Sequence, residues 1–459
     1  MRWRLLATAV SALTLSACAS TSAAPAFKDA STLAAERTGY RAVWRTGTAE
    51  DDEADKKINE LLANELTVDA AVQIALLNNR TLPAEYEELG VAQAELVQAG
   101  LLKNPVFGGT YRFPLDPGHL AGIEADLVTD FVQLLTRGAA KKIASLNLEA
   151  TIFRVGNHIV KHAYETKKAW YTVVAAEQML AMRKVITEAA EAAVEVAQKQ
   201  YDAGTINELD LANEQSLFAQ VTLDLRRTEG NVVTAREHLN RLMGTFGTQT
   251  KWRSPGKLPE LPKADPSLDH LEPLAVKRRL DLLAARRDVE VLSYGLSLAK
   301  NTRWAGFIDA GVSFERKPEG IRLLGPTVSF EIPIFDQRQA AIARIEAMLR
   351  QAKAREYALA VDIRSEVRES RNDVMVARAV AETYGTKLVP LRVKVVELSQ
   401  QFYDAMLLGV FQLLLAKQQE IEAFRSYIDA ARDYWIARAE LDMATGGALP
   451  LTNTGSKKS

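Results

Sequence analysis

The sequence has a single cysteine, Cys18. One thiol cannot close an internal disulfide and cannot supply the grouped cysteines of a zinc site. An excess of charge of either sign is missing too: 57 basic residues against 58 acidic ones leave a formal net charge of −1. Lys and Arg interleave with Glu and Asp, so the chain offers no electrostatic case for nucleic acid. After the amino terminus no run of about 18 apolar residues occurs, so no membrane-spanning helix is expected there. Membrane-spanning β-strands stay open, because their signal is far weaker. There is no glycine-rich phosphate loop and no G-x-S-x-G elbow. His158 and His162 stand four apart, which can place two imidazoles on one helix face, but no Glu follows His158 and no third ligand is evident. Met179 and Met182 read as core filler. The sequence therefore predicts no enzyme and no metal or cofactor.

What the chain has in quantity is helix-forming sequence. Ala139 to Gly244 contains no proline and is rich in Ala, Glu, Gln, Lys and Leu, residues that lose little on entering a helix. The one visible break is Tyr201-Asp-Ala-Gly204, which predicts two very long helices meeting at that glycine. The first arm, ending near Ala203, would reach about 95 Å at the α-helical rise. Helices in compact domains average about 11–12 residues, so the arm reads as a span rather than a globular core.

At the amino terminus Met1-Arg-Trp-Arg4 is basic, Leu5 to Leu15 is apolar, and Leu15-Ser-Ala-Cys18 ends the stretch. This predicts a secretory signal at residues 1–17. Residues 18–65 are expected to be a tether and extended segment, with Thr21 to Ser31 small and polar. Thr67 can cap a helix expected to continue, past a disturbance at Pro83, to Leu102.

The pattern then changes. Val106 to Phe113 and Ile123 to Val132 have strand character around an Asp116-Pro-Gly118 turn, and each run is long enough for a tilted strand across a bilayer. The plan recurs. Thr67–Leu82 aligns with Ser267–Leu282 at an offset of 200, Phe107 sits opposite Phe307, and two further strands are expected at Phe307–Glu315 and Leu324–Ile332. Tyr201-Asp-Ala203 recurs as Tyr403-Asp-Ala405. The organisation expected is a first repeat at 66–250, a proline-rich joint at 251–266, a second repeat at 267–446 and a polar tail at 447–459, an internal duplication. Leu391, Val395, Leu398 and Phe402 fall on one coiled-coil seam, and Ile421, Phe424, Ile428, Ala431 and Trp435 on another.

With Tyr201-Asp-Ala-Gly204 and Leu209-Asp-Leu211, Ile332-Pro-Ile-Phe-Asp336 before Arg338 and Arg344, and Tyr427, Tyr434, Ala439-Glu-Leu441 and Gly446 in this order, the chain resembles the TolC family of outer membrane efflux proteins from Leu66 to Gly447. The resemblance implies a mainly α fold with a transmembrane β part. Long helical hairpins would accompany four strands per chain, given by each of three identical subunits to one twelve-stranded barrel. Independently, four strands in lipid leave two unsatisfied edges, which closed assembly removes. The family resemblance also implies a periplasmic adaptor and an inner membrane transporter. Leu15-Ser16-Ala17-Cys18 separately resembles the bacterial lipoprotein signal, which implies lipid attachment at Cys18 and, with no Asp just after it, an outer membrane location; cleavage at an ordinary small-residue site, leaving a free thiol, is the alternative. The partner pump would supply energy and selectivity.

The resemblance places the adaptor-facing tip at Tyr201, Asp202, Gly204, Asp210, Tyr403, Asp404, Met406 and Gly409. Met406 stands where glycine is expected. Members of the family carry aspartates just after the second turn, and the matching positions here are Gln412 and Leu415; a latching basic residue is replaced by Leu408. The expected gate is therefore apolar with Gln412, and Asp404 and Asp210 are the nearby carboxylates. Packing of Leu408, Phe411 and Leu415 within the turn, or against the adaptor, is the alternative. Drugs and metal ions are both open as substrates. A lipid-anchored periplasmic coiled-coil adaptor or scaffold is the competing class, and it should lack the two strand pairs.

Overall fold

The computed structural model describes residues 20–449 apart from 116, 119 and 266; the predicted signal, Cys18 and the end of the tail lie outside the described residues. The chain is mainly helical with one four-stranded sheet. Four helices come first: α1 (Ala24–Thr38), α2 (Ala49–Ala63), α3 (Val68–Asn78) and α4 (Leu82–Gly100). Strands β1 (Val106–Arg112) and β2 (Gly122–Asp130) lead into α5 (Phe131–Asp202) and α6 (Glu208–Met243). After α7 (Leu271–Arg278) and α8 (Leu280–Asn301) come β3 (Ile308–Arg316) and β4 (Arg322–Phe330). Helices α9 (Gln339–Thr383), α10 (Val389–Asp404) and α11 (Val410–Ala444) complete the order.

These elements form two compact units, one from residues 20–30, 86–155 and 280–360, the other from 31–85, 156–279 and 361–449. In the first, all four strands pair antiparallel in the order β1-β2-β3-β4. Their aromatic and β-branched residues suit a pleated surface, and Gly320 closes the β3–β4 turn at φ +84°, its N–H bonded to Lys317 O at 2.9 Å. The helical parts of this unit are tied by Arg287–Glu149 at 2.9 Å and Lys300–Glu346 at 2.7 Å. These pairs are partly exposed and contribute little each.

The second unit has the larger core. Ile58, Leu66, Ile74, Trp170, Val173, Leu239, Met243 and Trp252 are buried together. Trp170 Nε1 donates to Leu66 O at 2.8 Å and Trp252 Nε1 to Asn240 Oδ1 at 2.8 Å, so neither indole leaves a buried donor unpaired. The Arg236 guanidinium lies 3.7 Å from the centroid of the Trp252 ring. The C-terminus of α6 is capped from a distance: Asn78 Nδ2 donates to Gly244 O at 2.8 Å and Asn79 Nδ2 to Leu242 O at 2.9 Å. Gly244, at φ +66°, lets that backbone approach; a Cβ there would stand 2.5 Å from Asn78 O.

Two expectations need correction. Residues 18–65 are not an extended tether, since α1 begins at Ala24 and α2 fills much of the remainder. Ala26, Ala30 and Ala34 recur every four residues and are buried; alanine carries too little hydrophobicity to announce a face, yet its small side chain lets a helix pack closely. The helix expected from Thr67 to Leu102 is two helices, and the break is at Asn79 rather than Pro83. Asn79 Oδ1 accepts the N–H groups of Thr81 and Leu82, which opens α4 there and leaves Pro83 in its first turn, where a missing N–H is tolerated. The seam Leu391, Val395, Leu398 and Phe402 is exposed along α10 within the chain. The helix before it also contains a π turn, Tyr384–Leu388, where Val389 N–H reaches back to Tyr384 O. Pro390 follows directly and offers no N–H to the regular pattern.

Candidate functional site

Two places gather the residues of interest: the sheet, and the turns α5–α6 and α10–α11.

The register sorts the sheet into two unlike faces. Phe107 is opposite Leu127, which is opposite Val312, which is opposite Pro326. By alternation the same face carries Tyr111, Ile123, Ala125, Phe314, Leu324, Val328 and Phe330. Phe107 and Phe330 are 72% and 63% exposed, so this apolar surface has no cover among the described residues. The other face carries Thr110, Glu124, Asp126, Asp130, Asp309, Ser313, Glu315, Thr327 and Ser329. Glu124 stands directly opposite Glu315, and Asp130 opposite Asp309. Like charges in register oppose pairing. One cation serves each pair: Arg112 donates twice to Glu124, at 2.7 and 2.9 Å, and Lys103 Nζ reaches Asp130 at 3.0 Å. Five carboxylates against those two cations leave the face acidic. The Asp126 carboxylate lies over Gly108, in the space a Cβ would fill.

β1 and β4 each have one strand neighbour among the described residues, so the outer edge of each presents unpaired backbone groups. The apolar face, its exposure and both open edges belong to the same four strands.

The two helix turns are built alike. Gly204 N–H bonds to Tyr201 O at 2.8 Å and Thr205 N–H to Gln200 O at 2.9 Å. In the second turn Met406 N–H bonds to Tyr403 O at 2.9 Å and Leu407 N–H to Phe402 O at 2.8 Å. Both are the paired bonds of a helix end whose next residue is left-handed. Gly204 has φ +73° and Met406 has φ +58°. Methionine therefore occupies the conformation that glycine adopts without steric penalty. Asp202 accepts from Gln198 Nε2 at 3.0 Å and Asp404 from Gln400 Nε2 at 2.9 Å.

The turns diverge beyond this point. Asn207 caps α6, its side chain accepting Asp210 N–H at 2.9 Å. Asp210 and Glu208 then lie in the first turn, where the helix dipole favours negative charge. Gly409 precedes α11 with no side-chain cap and no acid in the first turn. Met406 is 94% exposed; Leu407, Phe411 and Leu415 are exposed with it, Gln412 is exposed, and Leu408 is half-buried. Each predicted group thus gathers in its own turn: Tyr201, Asp202, Gly204 and Asp210 in the first, Tyr403 to Leu415 in the second.

His162 is buried on α5, and its Nε2 lies 2.9 Å from Leu242 O. Burial pushes its pKa below the ordinary histidine value. His158 instead faces Glu85, 3.5 Å away. The two histidines have separate partners, and among the described residues no group of three or more His, Cys, Asp or Glu is placed to hold a metal ion.

The acidic face is what sequence reasoning missed. Its signal was available, since Glu124 and Asp126, like Ser313 and Glu315, are two apart in runs otherwise read as apolar.

No family model matches the sequence. The chain is 21% identical over 393 residues to the cobalt-zinc-cadmium resistance protein CzcC of Cupriavidus metallidurans, covering 84% of this chain and 91% of that protein. Among solved structures it resembles a membrane protein from Pseudomonas aeruginosa, with a TM-score of 0.73 and 20% identity over 83% of this chain and 92% of that one. It also resembles the Campylobacter jejuni CmeC outer membrane channel, with a TM-score of 0.72 and 14% identity over 88% and 90% of the two chains.

Proposed function

We propose that this chain, which has the fold of the TolC-type outer membrane efflux channels, is the exit duct of a tripartite efflux system. The observation that carries the reading is the sheet: one face apolar and uncovered, the other acidic, both edges open. In lipid such edges must be satisfied. Three copies joined β4 to β1 close a barrel of twelve strands, with the apolar face toward lipid and the acidic face toward the lumen. The exposed α10 seam then has a place against a neighbouring helix.

The helices extend this duct into the periplasm, and a lipid on Cys18 holds the amino terminus at the outer membrane. The α5–α6 and α10–α11 turns meet a periplasmic adaptor, which connects the duct to an inner membrane transporter. Leu408, Gln412 and Leu415 form the gate. The chain contributes no catalysis. An ancestral duplication accounts for the paired architecture. Asn79 breaks α3 from α4 as Arg279 breaks α7 from α8, and Gly244 and Gly446, both at positive φ, close against the residues at those breaks.

Metal cations are the substrate class we favour. The acidic strand face supports this, as does the similarity to a protein whose name records cobalt, zinc and cadmium resistance. Reversal potentials across planar bilayers under a KCl gradient test it. The expected result is cation preference that weakens in Asp126→Asn and further in Asp126→Asn with Glu315→Gln. Anion preference in the unsubstituted channel would refute the lumenal assignment of that face.

A further inference from the structure

The apolar face of the sheet is interrupted at one end. Arg316, the last residue of β3, stands directly opposite Arg322, the first of β4, and both lie in the row that contains Tyr111 and Ile123. That row is at the hairpin end of the sheet, away from the strand ends that join helices α4, α5, α8 and α9. Two arginines in register repel. Among the described residues neither arginine has an acidic partner. Glu124 and Glu315 lie on the opposite face, where Glu124 takes both N–H groups of Arg112. Arg316 Nη2 donates to Ala121 O at 3.1 Å, and its Nε is buried with no acceptor. Arg322 is exposed, and Lys317 follows Arg316 in the turn.

We infer that Arg316 and Arg322 bind the phosphate group of an anionic lipid in the outer leaflet of the membrane. This rests on the barrel reading above, which puts the hairpin end at the outer surface and the apolar face against lipid. Complementarity selects the occupant. The row below the arginines is Ala125, Phe314 and Leu324, a surface for acyl chains, while paired guanidinium groups suit a phosphate bidentately. A phosphorylated lipid meets both demands in one molecule; free phosphate meets only the second. The site would also remove the like-charge cross-strand repulsion.

The test uses the intact oligomer in mild detergent, titrated with bisphosphorylated lipid A and followed by native mass spectrometry. The expected result is lipid retention that falls at least about tenfold in Arg316→Gln with Arg322→Gln, and likewise when dephosphorylated lipid A replaces the phosphorylated form. Millimolar inorganic phosphate should leave the lipid bound. Equal retention by both proteins, or retention indifferent to the lipid phosphates, overturns the inference. Displacement by inorganic phosphate at that concentration overturns the lipid assignment. Heat-modifiable migration separates the two readings. An oligomer with unchanged lipid affinity sinks the site alone, whereas no oligomer in either protein sinks the channel and the site together.

Discussion

Replacing Met406 by glycine should tighten the second helix turn. Met406 holds φ +58° at the position where the matched turn has Gly204 at φ +73°. The left-handed conformation costs a residue with a Cβ about 1–2 kcal/mol. Glycine recovers that, but loses about 0.5–1 kcal/mol through the greater freedom of its unfolded backbone. The Met406 side chain is 94% exposed, so its removal sacrifices almost no packing in the chain. The net expectation is about 0.5–1 kcal/mol of local stabilisation, equivalent to opening rates slowed by about two- to fivefold. Hydrogen exchange at the Met406 and Leu407 amides, bonded to Tyr403 O and Phe402 O, reads this directly. The reciprocal Gly204→Met should speed exchange at Thr205 by a similar factor. Unchanged or faster exchange in Met406→Gly would refute the claim that this backbone is strained. A methionine kept there at a cost, with Leu407 where the first turn has Thr205, presents an apolar tip.

Gly244→Ala should destabilise the second unit by at least about 1–3 kcal/mol, because its Cβ would press on Asn78 O at 2.5 Å in a positive-φ residue; a melting temperature equal to that of the unsubstituted protein would contradict the packing described. His162 adds a pH dependence whose sign follows from burial. Its folded pKa lies below the unfolded value near 6.5, so the unfolded chain binds more protons in acid, and the stability present above that value declines as pH falls through and below it. The Leu242 carbonyl and, after it, Glu165 favour the protonated form and soften the effect. Melting curves from pH 7.5 to 5.5 should show a decline that His162→Gln reduces; identical slopes would remove His162 as its source.

Much of this fold could be read from the sequence where chemistry marked it strongly. Long proline-free runs of Ala, Glu and Leu gave α5 and α6, although α5 begins at Phe131, inside the second expected strand run. Runs of strand character around turn residues located all four strands to within about two residues. Ala26, Ala30 and Ala34 were illegible because burial of alanine depends on the surface it meets, not on its own hydrophobicity. Leu391, Val395, Leu398 and Phe402 did mark a seam, but periodicity cannot tell whether the partner helix lies in the same chain. The acidic face needed the cross-strand register, since only pairing aligns Glu124 with Glu315 and Asp130 with Asp309.

Four strands with open edges cannot close alone, and the proposed function has three copies share one barrel. Native mass spectrometry of the lipid-modified protein released from mild detergent counts the copies. The expected species holds three chains and survives detergent removal in the gas phase; a stable single chain, with its sheet protected from exchange at both outer edges, would overturn the shared barrel.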